Sequence, residues 1–207
     1  MEHFDSYAAT FDIPRRTQRA TRVAQEIRTA LPSGQAGHAL EFGCGTGLIG
    51  MELLDCFSSL LFMDSSPKML EKVEEKIASL QAGTCKVMLH DLSLAAPDAL
   101  RVDTLFTVLT LHHITDTKRL LRNFHSTLSA NGLLLIIDLN TDEGGGFRKA
   151  YPDFDGHNGH DQQELAEMVN ETGFENVQSH TFFHDVKEWE GKGYPYSLFL
   201  LSARKKG

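Results

Sequence analysis

A short stretch with three glycines, Glu41 to Gly47 (EFGCGTG), carries residue types suited to binding a nucleotide. Glycines at alternate positions let the backbone turn tightly and let a ligand approach main-chain atoms that any Cβ would keep away. An apolar strand-like run precedes the stretch, and an apolar helix-like run follows it. The pattern predicts a nucleotide-binding turn between a strand and a helix, and the neighbouring residues decide which nucleotide it can bind.

Acidic residues stand at the ends of three successive apolar runs, as Glu41, Asp64 and Asp91. Asp64 lies roughly 20 residues beyond the glycines, the distance at which a carboxylate can accept hydrogen bonds from both hydroxyls of a ribose. Asp91 could accept a hydrogen bond from an exocyclic amine such as that of adenine. One ligand laid across the strand ends could therefore meet all three carboxylates. For Glu41 an additional role is structural, because it could order the glycine turn by hydrogen bonding.

Two groups of histidines, His112 with His113 and His157 with His160, have spacings at which imidazoles can bind zinc. The sequence offers no matching cysteine ligand, so we predict no metal site. His112 is instead interpreted as a residue that lines the pocket near the substrate, and a packing role remains the alternative.

Seven strand-like apolar runs and five helical segments share the chain and mostly alternate. The predicted strands are 38–42, 59–63, 86–90, 104–109, 133–137, 177–183 and 194–203, and the predicted helices are 17–31, 48–54, 67–80, 120–128 and 163–171. Alternation of this kind predicts an α/β fold with a Rossmann-like seven-stranded, mostly parallel sheet and helices on both faces. The short connection between the last two runs predicts that the last strand is antiparallel. Ligands of such sheets bind at the carboxyl ends of the strands.

A chain of 207 residues is long enough for one domain, and we predict a single domain over residues 1–207. Residues 1–34 are expected to form a helical N-terminal cap. Residues 141–159 contain three consecutive glycines and no apolar periodicity, which predicts a long loop on the substrate side of the sheet.

The charge balance argues against polyanionic partners. Twenty Lys and Arg against 28 Asp and Glu give a net charge of −8, which repels nucleic acids and anionic membrane surfaces. The series Arg15, Arg16, Arg19 and Arg22 lies on a predicted helix and is interpreted as its solvated surface. The N-terminus lacks the pattern of a signal peptide, and the three cysteines form no CxxC pair, so a reducing cytoplasm is predicted. The sequence makes no prediction of oligomeric state.

Four segments, in this order, resemble the motifs of class I S-adenosylmethionine-dependent methyltransferases of the bacterial small-molecule type. The stretch 41–47 (EFGCGTG) matches the family's first motif, E/D-x-G-x-G-x-G, and 62–70 (FMDSSPKML) resembles its second-strand segment. The stretch 90–92 (HDL) resembles its adenine-contacting segment, and 111–114 (LHHI) resembles the segment after its fourth strand. The resemblance covers nearly the whole chain and implies an enzyme that uses S-adenosylmethionine and releases S-adenosylhomocysteine.

The resemblance also implies which residues hold this cofactor. The main chain at Gly43 and Gly45 would lie against its methionine and ribose, Asp64 would bind the ribose hydroxyls, and Thr107 would contact the methionyl part. The full implied set is Glu41, Gly43, Gly45, Asp64, Ser65, Met69, Asp91, Leu92 and Thr107, in which Ser65 and Met69 border the adenine and Asp91 holds its edge with the Leu92 amide. Tyr7 and His112 are the candidates for the substrate side, and Tyr7 and Phe11 lie in a segment that often covers the cofactor in relatives.

Methyl transfer from a sulfonium is an in-line displacement, for which alignment of the reactants can provide most of the acceleration. No universal catalytic residue is needed, and a base is required only for a protonated acceptor, with His112, His113 and Asp138 as candidates. The acidic charge and the lack of an Asn-Pro-Pro-Tyr segment favour a small-molecule acceptor. An NAD-dependent oxidoreductase and a non-catalytic S-adenosylmethionine-binding sensor remain as alternatives.

Overall fold

The computed structural model of the protein describes residues 2–142 and 156–207. The α-helices are α1 (Glu2–Tyr7), α2 (Pro14–Ala30), α3 (Leu48–Met51), α4 (Pro67–Leu80), α5 (Thr117–Thr127) and α6 (Gln162–Glu171). The strands are β1 (His38–Phe42), β2 (Ser59–Asp64), β3 (Cys85–Leu89), β4 (Val102–Val108), β5 (Leu128–Leu139), β6 (Phe174–Trp189) and β7 (Lys192–Lys205). Short 3₁₀ turns lie at Ala8–Thr10, Leu54–Cys56 and Leu111–His113.

The seven strands form one sheet in the order β3-β2-β1-β4-β5-β7-β6. Strands β1 to β5 pair in parallel, whereas β7 runs antiparallel to both of its neighbours, β5 and β6. From β1 the chain moves outward through β2 and β3, and it then returns to place β4 on the other side of β1. This change of direction opens a crevice at the carboxyl ends of β1 and β4. The predicted α/β fold, with its mostly parallel sheet and antiparallel last strand, is confirmed.

Helices cover both faces of this sheet. On one face, α5 and α6 bury Leu120, Phe124 and Val169 against inward-facing residues of the central strands. On the other face, α2 and α4 bury Ile27 and Val73 in a second core. Strands buried on both sides explain the nearly continuous apolar runs of β2 and β5. Within the described residues, no helix combines the length and apolarity needed to cross a membrane.

Two of the element boundaries that differ from the sequence prediction have a local explanation. Helix α2 begins at Pro14, three residues earlier than predicted, because a proline suits the first helical turn, where its missing N–H costs nothing. Strand β5 begins at Leu128, immediately after α5, so Asn131 and Gly132 lie inside the strand rather than between helix and strand. Asn131 has φ +60°, a value that asparagine tolerates better than most residues.

The last two strands form a hairpin that is much longer than predicted. Strand β6 runs six residues beyond Phe183 and meets β7 through a turn at Glu190 and Gly191, both with positive φ. The pairing contains two irregularities, between Glu175 and Gln178 and between Thr181 and Phe183, which interrupt the alternation of apolar and polar residues. The pairing of β7 with β5 ends at Leu198, so the hairpin tip, residues 184–197, does not pair with β5.

The predicted substrate-side loop, 141–159, lies mostly outside the described residues. Its described ends are tied to the carboxyl edge of the sheet. Thr141 N donates to His160 O at 3.2 Å, Asp142 N donates to Asn158 O at 3.2 Å, and His157 N donates to His112 O at 2.7 Å. The segment therefore leaves and rejoins the fold beside the Leu111–His113 turn, and its role at the substrate stays a prediction.

Candidate functional site

The glycine turn is fixed to the end of strand β2. The amides of Gly43 and Cys44 both donate to Met63 O, at 2.8 and 3.1 Å. Gly43 has φ +67°, and a Cβ there would lie 2.3 Å from Thr110 Cγ2, so only glycine fits. Gly45 has φ +54°, but a Cβ there would meet only the Phe11 ring, at 3.7 Å. Glycine at position 45 therefore leaves the backbone without a side chain beneath the Phe11 ring.

The Asp64 carboxylate links this turn to the start of α4. Its Oδ2 accepts a hydrogen bond from Gly45 N at 2.8 Å, and its Oδ1 accepts one from Ser66 N at 2.9 Å. Burial raises the pKa of this carboxyl, against the hydrogen bonds from Ser66 and Gly45 that lower it. Each carboxylate oxygen can accept more than one hydrogen bond, so Asp64 retains capacity for a ligand.

Glu41 lies beneath the turn and is 2% exposed. Its Oε2 accepts a hydrogen bond from Gly50 N at 3.2 Å, which ties strand β1 to helix α3. Burial raises the pKa of Glu41 to about 8, and the Gly50 hydrogen bond opposes this shift. The side chain is therefore mostly protonated near pH 7, and its uncharged acid group contributes to the floor of the site.

The segment between α1 and α2 covers the glycine turn. Lys76 Nζ contacts Asp12 Oδ2 at 2.7 Å and donates to Thr46 O at 2.7 Å. Thr46 Oγ1 donates to Asp12 Oδ1. Because Thr46 belongs to the turn and Lys76 to α4, Asp12 fastens the N-terminal segment over both elements. The adjacent Phe11 ring lies over Gly45, 3.7 Å from where a Cβ of residue 45 would stand.

A cleft of about 290 Å³ lies between these elements at the carboxyl ends of β1, β2 and β4. It is lined by Phe11, Arg16, Arg19, Ala20, Val23, Glu41, Phe42, Gly43, Cys44, Gly45, Leu48, Ile49, Asp64, Ser65, Met69, Asp91, Val108, Leu109, Thr110, His113 and Ile114. One side is acidic, at Asp64 and Asp91. The side formed by α2 is basic, and the Arg16 guanidinium lies 4.2 Å from the centre of the Phe11 ring and donates to Phe11 O at 2.9 Å.

A buried histidine–aspartate pair lies behind the post-β4 turn. Asp138, which is fully buried, contacts His112 Nδ1 through Oδ1 at 2.7 Å and accepts from His112 N through Oδ2 at 3.2 Å. Burial alone would raise the pKa of Asp138, but His112 outweighs it and holds that pKa below its usual value. The rings of His112 and His113 lie 4.1 Å apart, and His113 lines the cleft. Among residues 2–142 and 156–207, no three His, Cys, Asp or Glu side chains are grouped so as to hold a metal ion.

Comparison with known families agrees with this geometry. Residues 40–134, just under half of the chain, match the family model described as a methyltransferase domain. This range contains the glycine turn, Asp64, Asp91 and the post-β4 turn. This part of the chain is therefore similar to methyltransferase domains, in agreement with the resemblance to class I S-adenosylmethionine-dependent methyltransferases.

The curated relatives of this chain are distant. An uncharacterized methyltransferase, YrrT, of Bacillus subtilis is 26% identical over 121 residues, which cover 56% of the present chain and 55% of the relative. The malonyl-[acyl-carrier protein] O-methyltransferase 2 of Ilyobacter polytropus is 30% identical over 112 residues, which cover 53% of the present chain and 42% of the relative. The aligned part is thus about half the length of these curated relatives.

Solved structures share the methyltransferase fold. Phosphoethanolamine N-methyltransferase 2 of Haemonchus contortus, in complex with phosphomonomethylethanolamine and S-adenosylhomocysteine, superimposes with a TM-score of 0.74 at 15% identity. The match covers 89% of the present chain and 52% of that protein. The YcgJ protein of Bacillus subtilis matches with a TM-score of 0.71 at 14% identity and covers 90% and 98% of the two chains. At these identities the similarity describes the fold.

The fold brings most of the predicted cofactor residues to the cleft. Glu41, Gly43, Gly45, Asp64, Ser65, Met69 and Asp91 all line it. Leu92 does not line the cleft, and its side chain is fully buried in the core. Tyr7 lies outside the lining set, although the neighbouring Phe11 belongs to it.

Two predicted residues lie behind the lining. Thr107 is 1% exposed and donates through Oγ1 to Phe42 O at 2.9 Å, so it joins β4 to β1 instead of facing the cleft. Val108, Leu109 and Thr110 line this side of the cleft. His112 is likewise buried by its contact with Asp138, and the next residue along the turn, His113, lines the cleft in its place.

The fold also places in the cleft two residues that the sequence analysis assigned to solvent. Arg16 and Arg19 line the cleft from α2, whereas Arg22 is exposed as predicted. Their spacing of three residues puts them on one face of the helix, and Ala20 and Val23 of the same face also line the cleft. The sequence signal for this placement was that Arg16 and Arg19 share a helical face with the apolar residues Ala20 and Val23.

Proposed function

We propose that the protein transfers the methyl group of S-adenosylmethionine to a small-molecule acceptor. The observation that carries the proposal is the cleft of about 290 Å³ at the strand ends, which Gly43, Gly45, Asp64 and Asp91 all line. Asp64 is fixed beside the glycine turn by the hydrogen bond that it accepts from the Gly45 amide. A backbone without side chains beside a carboxylate at adjacent strand ends suits a nucleoside with a polar tail. The methyltransferase domains that residues 40–134 match support the same cofactor.

The chain's residues can be assigned to parts of this cofactor. Asp64 would accept hydrogen bonds from the ribose hydroxyls, since its oxygens still have acceptor capacity. Ser65 and Met69 would border the adenine, and Asp91 with the Leu92 amide would hold its edge. The main chain at Gly43 and Gly45 would lie along the ribose and methionine. When bound, the cofactor supplies a methyl group activated by a sulfonium.

The protein's contribution to such a reaction is alignment and exclusion of water. Phe11 covers the glycine turn, and the Asp12 contacts hold this cover in place. A nucleophile placed in line with the methyl group needs no further activation if it is already deprotonated. Of the three candidate bases, His113 lines the cleft, while His112 and Asp138 are buried behind it and set its surroundings.

A small-molecule acceptor fits the size and charge of the site. The cleft of about 290 Å³ lies at the lower end of the range for ligand pockets. The net charge of −8 opposes a nucleic acid. The O-methyltransferase of Ilyobacter polytropus and the N-methyltransferase of Haemonchus contortus support group transfer in related proteins but differ in the atom methylated.

The first test is calorimetric titration with S-adenosylmethionine and S-adenosylhomocysteine. Wild-type protein is expected to bind both, and Asp64→Asn is expected to weaken binding by about 1.5 to 3 kcal/mol, because a charged acceptor of two hydroxyls is lost. Glu74→Gln, on the exposed face of α4, is the matched control and should bind like the wild type. Saturation by NAD, without binding of either sulfur ligand, would contradict the proposal.

The second test separates an enzyme from a sensor. Protein that binds the cofactor is incubated with methyl-labelled S-adenosylmethionine and pools of carboxylic acids, amines, phenols and thiols. Appearance of label in a small molecule supports transfer. Binding without turnover across all four acceptor classes would favour a non-catalytic sensor.

A further inference from the structure

The order of the strands places the turn after β4 on the acceptor side of the cleft. Along the carboxyl edge of the sheet the strands follow one another as β3, β2, β1 and β4, with neighbours about 4.8 Å apart. Asp91 follows β3, Asp64 ends β2 and Gly43 follows β1, and the proposed function assigns them to the adenine, the ribose and the methionine. The reacting methyl group would therefore lie beside the next element along this edge, the turn Leu111–His113.

Two hydrogen bonds join this turn to the glycine turn. Thr110 Oγ1 donates to Gly43 O at 3.2 Å, and His113 N donates to Thr110 O at 3.0 Å. His113 is exposed and lines the cleft, whereas the preceding residue, His112, is only 6% exposed. His113 is thus the titratable side chain that the turn after β4 presents to the cleft.

The main chain is held on both sides of His113. Before it, Asp138 contacts His112 Nδ1 at 2.7 Å and accepts from His112 N at 3.2 Å, and His157 N donates to His112 O at 2.7 Å. After it, His157 Nε2 donates to Ile114 O at 2.9 Å. The buried aspartate and the returning end of the 141–159 segment therefore fix the residues that flank His113.

The His113 ring is supported in the same way. Its centre lies 4.1 Å from that of the His112 ring, which Asp138 holds from behind. Asp138 keeps its charge, because His112 lowers the pKa of this carboxyl below its usual value. A negative charge behind the two rings favours a proton that arrives on them. An imidazole has two ring nitrogens, so a neighbour at one leaves the other able to take a proton.

We propose that His113 is the general base of methyl transfer, and that Asp138, His112 and His157 position it. The inference rests on the proposed function and narrows the acceptor to a molecule whose attacking atom carries a proton at neutral pH. As that atom forms its bond to the methyl carbon, the bond from this carbon to the sulfonium breaks and its electron pair stays on the sulfur. The acceptor's proton moves to the unprotonated ring nitrogen of His113, which is exposed and passes it to water.

The acceptor class is tested with methyl-labelled S-adenosylmethionine and separate pools of phenols, amines, thiols and carboxylic acids. The first three have pKa values of about 10, 10.4 and 8.5 and keep their proton at neutral pH, whereas a carboxylic acid, at about 4, is already ionised and needs no base. Label is expected in a phenol, an amine or a thiol. Label in carboxylic acids alone would overturn this inference and leave the proposed function standing.

The base is tested with the acceptor that takes up label. His113→Gln is expected to lower kcat by about 10²- to 10⁴-fold, while the KM for the acceptor and the calorimetric affinity for S-adenosylhomocysteine stay as in the wild type. Free imidazole should restore part of the activity of His113→Ala, because it can take the proton in place of the missing ring. His184→Gln, at an exposed histidine of β6 outside the cleft lining, is the control and should behave like the wild type.

Positioning is tested at His157, which is only partly buried. His157→Leu removes the donor to Ile114 O and is expected to lower kcat by about 10- to 100-fold with unchanged KM, and His157→Gln, whose amide can donate to the same oxygen, should restore it. A wild-type kcat in His113→Gln would overturn the inference and leave the proposed function standing, and a wild-type kcat in His157→Leu would overturn the positioning role. Wild-type protein that binds S-adenosylhomocysteine but labels no pool would overturn both the inference and the proposed function.

Discussion

Glu41 combines deep burial with an ionisable group, and its stability effect should depend on pH. Its folded-state pKa is about 8, above the ordinary value of 4.5. Between these values the unfolded chain releases a proton that the folded chain retains, so the stability from Glu41 is full below about pH 4.5 and is lost as pH rises toward 8. The loss amounts to about 1.4 kcal/mol per pH unit within this window.

Glu41→Gln should remove this pH dependence while keeping an oxygen that can accept from Gly50 N. The variant is expected to gain stability relative to the wild type, by up to about 4 kcal/mol, between pH 5 and pH 8. Urea unfolding at the two pH values measures the difference. Glu74→Gln serves as the exposed control and should show no such change. A difference between variant and wild type that stays constant with pH would contradict the assignment.

At the residue scale, the sequence predicted the positions whose role follows from local chemistry. Gly43 and Asp64 could be found because a turn at a strand end restricts which residue types fit. Arg16 and Arg19 were misassigned, since helical periodicity gives the face of a cation but not what packs opposite that face. Thr107 was predicted to contact the cofactor, but its side chain is buried between β4 and β1. The sequence does not reveal this, because the direction of a side chain at a strand end depends on the pairing register with β1.

At the scale of elements, the glycine turn works through its fit to the post-β4 turn. A Cβ on Gly43 would lie 2.3 Å from Thr110 Cγ2, in a region of positive φ. Gly34 also has positive φ, +88°, but a Cβ there would meet nothing within 4 Å. The two positions therefore separate the cost of backbone conformation, about 1 to 2 kcal/mol for alanine, from the cost of a clash.

Gly43→Ala is expected to lower the free energy of unfolding by about 1 to 3 kcal/mol more than Gly34→Ala does, because Thr110 must move. Chemical denaturation of both variants measures this difference. Equal destabilisation would mean that the turn can shift away from Thr110 without cost, and would contradict a rigid fit between the two elements.

The elements themselves were predictable to different degrees. Strand β1 and helix α4 were placed within a residue, because apolar runs and the Ser66 cap mark them locally. The hairpin was not, since the irregular pairing near Gln178 and Phe183 breaks the period on which strand prediction depends. Residues 184–189, the β6 half of the hairpin tip, pair with β7 through main-chain contacts that no side-chain pattern reveals.

At the scale of the whole molecule, segments from near both ends of the chain meet where α2 contacts the β6–β7 hairpin. Arg15 and Asp185 are 170 residues apart in sequence and bond at 2.8 Å. Their side chains are 40% and 32% exposed, so the ion pair should contribute only about 0.2 to 1 kcal/mol to global stability. The hairpin tip lacks a β5 partner, however, and this contact is one of those that hold it against α2.

Asp185→Asn is therefore expected to leave the free energy of unfolding within about 1 kcal/mol of the wild type. Amide hydrogen exchange should nevertheless become faster at the hairpin tip, 184–197, because local opening depends on the few contacts a segment makes. Hydrogen-exchange mass spectrometry resolves the two effects. Glu171→Gln, which breaks an exposed ion pair with Lys118 at 3.0 Å, is the control and should not change exchange at the tip. Unchanged exchange in Asp185→Asn would mean that main-chain pairing alone holds the tip, independently of its contact with α2.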